Sequence, residues 1–429
     1  MHPVDHEQVF GQPLNVDFES LFLSMLTEWE NQMRNDGDKI AAEVIAHLSF
    51  SGDFGGREKV VAQLVKGFQA VGIKTYLYLI IENRAGNKRL ERLYKSLQIE
   101  SLEYRRFETH RRLSISLLKE ICRRLHRDSV KIAHCHCYKS LFYMHISRLL
   151  GLWQGQVYFT LHGLIVGNSI NDQMIKTCQY LGIRLCDGVI GCSKEVLEST
   201  MNGDLKEKST TIINGISVKE TDFQHLIEKK RASKKKILAK YHLSENSLLI
   251  INVGRLTAQK NFPLYLQLVE QRTQLPNHEK CRFLVVGDGE LRESLKGQVQ
   301  TRGIENNVIF TGFVADMDEM YLGADILIQT SIWEGTPMCL LEARSLGLPV
   351  IASNVGGNSD IITDGENGFL VESGNVEQFI GALGHYMDDE KLRLDHGRKG
   401  YEDTLRSFGV KKWVSNHLEF YQHICGHTA

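Results

Sequence analysis

The chain has 429 residues, 42% of them hydrophobic, and a formal net charge of −1. That length exceeds one ordinary core of roughly 100 to 200 residues, so two domains are expected. The near-neutral charge excludes a protein that holds nucleic acid through a global basic field. Nine cysteines (122, 135, 137, 178, 186, 192, 281, 339 and 425) are odd in number and scattered, which gives no disulfide framework and fits reduced thiols in a cytoplasmic protein. The N-terminal MHPVDHEQVF has neither the basic nor the apolar part of a leader, and no apolar run approaches the ~20 residues of a membrane span. The chain is expected to be neither secreted nor integral to a membrane.

Between residues 14 and 34, Phe18, Leu21, Phe22, Met25, Leu26, Trp29 and Met33 recur at steps of three and four. This spacing predicts an amphipathic helix that packs on its own domain or on another subunit. From Glu43 the pattern changes. EVIAHLSFS reads as a strand, Gly52 to Gly56 as a glycine loop, residues 57–70 as a helix and KTYLYLII as a second strand, which together make a βαβ unit. Gly55 and Gly56 would let backbone approach a ligand at the carboxyl end of the first strand, although a tight turn alone would also use them.

Residues 105–131 are the most basic stretch: Arg105, Arg106, Arg111, Arg112, Lys119, Arg123, Arg124, Arg127 and Lys131 are interleaved with Leu113, Ile115, Leu117, Leu118, Ile121 and Leu125. Two readings stand, a solvated helix face and a helix lying on an anionic leaflet. KIAHCHCY follows, with four good metal ligands in a row. Strand alternation sends His134 and His136 to one face and Cys135 and Cys137 to the other, so these four cannot converge on one ion from this segment alone. His136, at a strand end, is the residue facing a cleft. VYFTLHGLIVG places His162 beyond another strand, and GVIGCSKEVLEST and TIINGIS repeat the pattern of strand and polar loop. Residues 219–245, with KKRASKKKILAKYH, read as a charged connector of helical character.

A second βαβ series begins at LLIINVGRL and runs through RFLVVGDGELRESL, NVIFTGFV, ADILIQTS and LPVIASNVGG, predicting a second doubly wound parallel sheet. Arg255 and Lys260 flank the loop after its first strand, a planar fork and a point charge suited to a diphosphate. The stretch SIWEGTPMCLLEARSLGLPVIASNVGG, residues 331–357, is a loop, a short helix and a buried strand. Thr336 is the expected N-cap and Pro337 the first helical residue, so free N–H groups and the helix dipole make an anion site, with Glu334 and Glu342 able to take sugar hydroxyls. An ordinary helix start with two solvated glutamates is the competing reading. The chain closes in VKKWVSNHLEFYQHI, an amphipathic helix.

SIWEGTPMCLLEA, NVGRLTAQKN and SFSGDFGGREK in this order make the chain resemble the GT-B glycosyltransferases of family 4, retaining enzymes with nucleotide-sugar donors. The likeness runs from about Glu43 to the C-terminus. It implies an α/β GT-B fold, two Rossmann-like domains whose parallel sheets face a central cleft. The expected division is an N-terminal helical extension (1–38), an acceptor domain (39–218), a connector (219–245), a donor domain (246–405) and a C-terminal helix (406–429) that returns to the first domain. By resemblance, Arg255 and Lys260 hold the donor diphosphate, Glu342 the ribose hydroxyls and Glu334 the transferred sugar. Gly335, Thr336, Pro337, Met338, Cys339 and Leu340 lie along sugar and phosphate through their backbone, and Gly55 and Gly56 approach the diphosphate from the other domain. His162 matches a histidine near the reacting anomeric carbon, and His136 and His162 are the expected acceptor-side residues. Glu334, His162, Arg255 and Lys260 are the expected catalytic group.

No cofactor or metal is expected. Of two DxD triplets, Asp36 to Asp38 falls in the N-terminal linker, and Asp316 and Asp318 suit a helix cap and first turn. The expected activity is metal-independent transfer, with retention, of a hexose-type sugar from a UDP-sugar to a glycan or lipid-linked acceptor in cell-surface polysaccharide synthesis, with the basic stretch 105–131 touching the inner face of an anionic membrane. A catalytically silent, nucleotide-sugar-binding regulatory subunit is the alternative. A nicotinamide-dependent oxidoreductase lacks its GxGxxG fingerprint.

Overall fold

The structure is a computed structural model that describes residues 44–427, apart from 52–55, 83–101, 112, 164–168, 202, 219 and 315. The helix expected within 14–34, the Asp36 to Asp38 triplet, Arg112 and Gly55 lie outside the described residues. Residues Ala41–Ile424 cluster as one compact unit.

The first half contains β1 (Val44–Ser51), α1 (Gly56–Ala70), β2 (Lys74–Glu82), β3 (Tyr104–Thr109), α2 (Ile115–Arg127), β4 (Ile132–Cys135), α3 (Tyr138–Leu149), β5 (Gln156–Leu161), α4 (Ile170–Arg184), β6 (Gly188–Gly191), α5 (Lys194–Glu198) and β7 (Ser209–Thr211). The second contains α6 (Phe223–Lys240), β8 (Leu248–Val253), α7 (Phe262–Arg272), β9 (Cys281–Val286), α8 (Arg292–Thr301), β10 (Val308–Gly312), α9 (Met317–Gly323), β11 (Ile326–Gln329), α10 (Met338–Ser345), β12 (Val350–Ser353), α11 (Asn358–Ile361), β13 (Phe369–Val371), α12 (Val376–Asp388) and α13 (Glu390–Ser407). A last helix, α14 (Val410–His427), follows.

Two sheets form, in the orders β3-β2-β1-β4-β5-β6-β7 and β10-β9-β8-β11-β12-β13. Their strand pairs are parallel. Strands such as LLIINV and IAHC are covered on both faces, which is why they read as continuous apolar runs rather than alternating ones. The fold is GT-B: both sheets are doubly wound, and each reverses its strand order once, between β1 and β4 and between β8 and β11. Ligands bind such sheets beyond the carboxyl ends at that reversal. His136, the Arg255–Lys260 loop and the Glu334 loop leave from three of those strand ends, those of β4, β8 and β11.

Helix α6, from the lysine-rich stretch, buries Leu226, Ile237 and Leu238, and the last two join Met320, Tyr321 and Leu327 in a core of the second sheet. Lys229, Lys235, Lys236 and Lys240 are exposed, whereas Lys234 pairs with Asp325 and Lys230 donates to Gly347 O at 3.3 Å. Helix α14 sets Trp413, Val414, Phe420 and Tyr421 against Ile45, Ile132 and Tyr158 of the first sheet and Phe68 of α1. A parallel bridge between Ile216 and Gly409 ties the two crossings of the chain between the sheets.

Candidate active site

On the second-sheet side, β8 ends at Val253 and the chain turns through Gly254, exposed Arg255 and Lys260. The Lys260 stem crosses Gly254 so closely that a Cβ there would stand 3.2 Å from its Cγ, Cδ and Cε. Its Nζ is 2.5 Å from Glu334 Oε1. The same oxygen accepts from Ser331 Oγ at 2.6 Å and from Gln329 Nε2 at 3.3 Å. Glu334 is 7% exposed, so it is neither solvated nor unpartnered. Burial works against the Lys260 ammonium, but Glu334 beside it outweighs this and raises its pKa above the usual lysine value. Removing either partner would strand a buried charge.

The start of α10 differs from expectation. Pro337, with φ −77°, is the N-cap rather than the first helical residue, and Thr336 does not cap the helix. The Thr336 hydroxyl instead donates to Cys192 O, at 2.5 Å, and accepts from the Asn214 N–H at 3.4 Å. Both partners follow strands of the first sheet, so a cross-cleft bond outcompetes a local cap. Among the described residues no acceptor takes the Met338 or Cys339 amide, while Leu340 N–H donates back to Pro337 O at 3.0 Å. Met338 packs against the cores of both sheets, and Leu340 is fully buried. Burial pushes the Cys339 thiol up to about 11, and Gln329 Nε2 donates to its sulfur at 3.4 Å.

Gly335 is required by contact. A Cβ there would fall 2.3 Å from His162 O. Gly356, with φ +53°, lies against Glu334, where a Cβ would stand 2.1 Å from its carbonyl oxygen. Gly357 N–H donates to Gly335 O at 2.9 Å, so the two loops of residues 331–357 brace each other.

Glu342, eight residues after Glu334, is met by two groups that sequence reasoning missed. Lys59 of α1 reaches its Oε1 at 2.5 Å and Tyr321 of α9 donates to its Oε2 at 2.9 Å. Lys59 stands 283 residues away in the chain, and nothing local marks it. Tyr321 carries a signal only as a buried aromatic on a short helix.

On the first-sheet side, Gly56 opens α1, is exposed and has open space where a Cβ would be. Arg57 beside it donates to Phe50 O at 2.9 Å and pairs with Glu58. His136 and His162 do come together: His136 Nδ1 is 2.9 Å from His162 Nε2. Burial, followed by the charge of Arg57, lowers the His162 pKa to about 3, so its ring is neutral at physiological pH. His47 of β1 pairs in register with His134 and was missed, because strand adjacency of β1 and β4 is not written in either segment. As expected, Cys135 and Cys137 do not join the imidazoles. His47, His134 and His136 do have ligand atoms within 4.8 Å of one another. As a metal site the trio fits poorly: both His134 nitrogens are engaged, at 2.6 Å with Tyr421 OH and 2.6 Å with Thr160 Oγ1, and both His136 nitrogens meet other imidazoles. Asp316 caps α9 by accepting from Glu319 N–H, as expected of a structural triplet.

On α2, Leu117, Leu118, Ile121, Cys122 and Leu125 face the core of the first sheet, which leaves Ile115 as its exposed large apolar residue. Arg105 and Arg124 both pair with Asp128. What remains outward is a rigid basic face with Lys119, Arg123 and Arg127, beside exposed Leu113 and Ile115. Among the described residues no helix is long and apolar enough to cross a membrane.

Residues 54–220 match the family described as Glycosyltransferase Family 4, and residues 233–403 match Glycosyl transferases group 1. The chain is 30% identical over 326 residues to the UDP-Gal:alpha-D-GlcNAc-diphosphoundecaprenol alpha-1,3-galactosyltransferase of Escherichia coli, covering 72% of this chain and 81% of that protein. It is 24% identical to the N-acetyl-alpha-D-glucosaminyl L-malate synthase of Bacillus anthracis over 62% of this chain and 67% of that one. Among solved structures, Anabaena HepE in complex with UDP superposes with a TM-score of 0.72 at 19% identity, over 88% of this chain and 99% of the other. The lipopolysaccharide outer core galactosyltransferase WaaB, in its apo form, gives 0.64 at 19%, over 90% and 100%.

Proposed function

Because the chain belongs to glycosyltransferase family 4, we propose that it moves a hexose-type sugar from a UDP-sugar to a glycan or lipid-linked acceptor in cell-surface polysaccharide synthesis. The observation that carries this is Lys260 Nζ, 2.5 Å from Glu334 at the foot of α10, with Glu342 further along the same helix. The donor diphosphate takes Lys260, joined by the Arg255 fork and the Met338 and Cys339 amides. Glu334, relieved of its cation, turns to hydroxyls of the sugar. Glu342 exchanges Lys59 for the ribose. Negative charge grows on the diphosphate as the sugar–phosphate bond breaks, and fixed cations and N–H dipoles stabilise it without reorganising. Each charge-assisted bond is worth roughly 1.5 to 3 kcal/mol. No divalent metal is needed for that balance. The new bond forms on the face that His162 and His136 border, with retention of configuration, and the kinship with an enzyme named for a diphosphoundecaprenol acceptor supports a lipid-linked substrate. The outward cations of α2 then hold the protein against anionic lipid by charge alone.

A thermal-shift panel of nucleotide sugars in chelator identifies the donor, since a ligand bound only by the native state raises apparent stability. Transfer of labelled sugar to a lipid extract by wild type, abolished in Glu334→Ala, is the expected result. UDP binding with no transfer to any extract would make the chain a silent binding subunit instead.

A further inference from the structure

The cleft reading above leaves one arrangement unused. His162 Nε2 meets His136 Nδ1 at 2.9 Å, and His136 Nε2 meets His47 Nδ1 at 2.9 Å, so three imidazoles form a file from the cleft into the sheet. The file ends at His47 Nε2, which is buried and has no hydrogen-bond partner among the described residues. We propose that His136 and His47 are positioning residues that lock His162 in one tautomer, with its Nδ1–H presented to a hydroxyl or ring oxygen of the transferred sugar.

The direction follows from counting protons. Burial is the first cause that lowers the pKa of His47, His136 and His162, with neighbouring imidazoles, and Arg57 at His162, adding to it. Each ring is therefore neutral near pH 7 and carries one N–H. Two proton orders satisfy both contacts. In one, His47 Nδ1–H donates to His136, His136 Nδ1–H donates to His162, and the orphan His47 Nε2 is a bare lone pair. In the other, every bond runs outside in and the orphan is a buried N–H. An orphaned buried donor is the rarer and costlier fault. The first order wins, and it leaves His162 a donor at Nδ1. His134 does not compete for the file, because Tyr421 and Thr160 take its two nitrogens. His417 packs on the same cluster, its Nδ1 held 2.8 Å from Trp413 O, and is likewise kept neutral by burial, at about 4. Among the described residues no carboxylate bonds to these three rings.

The inference rests on the transferase reading for what His162 donates to, but the tautomer itself is independent of it. The test is long-range proton–nitrogen NMR on the full chain labelled with nitrogen-15 histidine, at pH 7 without substrate, with His162→Gln assigning the signals. The expected result is a neutral His162 protonated at Nδ1. An Nε2–H tautomer, a charged ring, or a metal ion retained stoichiometrically through chelation at His47, His134 and His136 would overturn the proposal. Kinetics give the second arm. His47→Leu is expected to lower kcat about tenfold, at the low end of the roughly 10- to 100-fold seen when outer partners of an oriented imidazole are lost, with the donor KM unchanged. His47→Asn, whose amide N–H replaces the Nδ1 donor, is expected to restore kcat to within about threefold of wild type. Equal losses in both variants, or a loss carried by KM, would make His47 merely structural. If no nucleotide sugar is turned over at all, the proposed function fails while the NMR result still decides the tautomer.

Discussion

The two walls of the cleft are built from opposite chemistry on the same scaffold. Both stand at the strand-order reversal of a doubly wound parallel sheet. The second-sheet wall holds charge: Lys260 against Glu334, and Glu342 answered from across the cleft by Lys59. The first-sheet wall presents His162 and His136 backed by His47, rings kept neutral by burial. A diphosphate leaving group needs fixed cations, whereas a sugar's hydroxyls need uncharged donors and acceptors in fixed directions. Under the proposed function, the contrast divides the labour between binding a charged nucleotide and orienting a neutral sugar.

The sharpest way to break the contrast is Lys260→Ala. Activity should fall at least ~100-fold, and stability by roughly 3 kcal/mol, because Glu334 is left buried and unpaired. Adding Glu334→Gln should return most of the stability, read by urea midpoints, and none of the activity. Gly335→Ala comes next. Its methyl has no room against His162 O, so the walls must separate, and kcat/KM should drop about 10- to 100-fold with little change in UDP binding to the second wall.

Acid separates the walls by stability. The first-wall histidines have folded pKa values below the ordinary 6.5, to about 3 for His162 and about 4 for His417. Below pH 6.5 the unfolded chain takes up protons that the folded chain refuses, so stability falls as pH drops from 6.5 towards 4, by up to about 1.4 kcal/mol per pH unit for each such ring. Hydrogen exchange between pH 7 and pH 5 should show β4 and β5 losing protection before β8 and β11. Simultaneous loss would contradict the assignment of acid sensitivity to the histidines.

Smaller effects follow at the edges. Lys59 is 39% exposed on its side chain and, under the proposed function, competes with ribose for Glu342, so Lys59→Met should tighten UDP binding only a few-fold. Reversing Lys119, Arg123 and Arg127 to glutamate should abolish flotation with anionic vesicles at about 1 kcal/mol per cation, and leave transfer to a soluble acceptor unchanged.

Much of this contrast was open to reading from residues alone. Continuous apolar strands, the glycine loop and the Glu334–Glu342 spacing are local patterns, and they lead to two doubly wound sheets and to the charged wall. What escaped is what long-range contact decides. His47 and Lys59 acquire their roles only when β1 lies beside β4 and α1 faces α10. Thr336 has the chemistry of an N-cap, but Cys192 O offers it a better partner across the cleft. The apolar residues of α2 have a helical period that suits a bilayer and a protein core equally, and the core took all of them but Ile115.

The most direct test of the charged wall is calorimetric titration of UDP, in chelator, into wild type and Lys260→Ala. The prediction is that wild type binds without a divalent metal and that the variant binds about 30-fold more weakly, the equivalent of one charge-assisted bond of roughly 2 kcal/mol. Equal affinity in the two proteins, or binding by wild type only after a divalent metal is added, would contradict it.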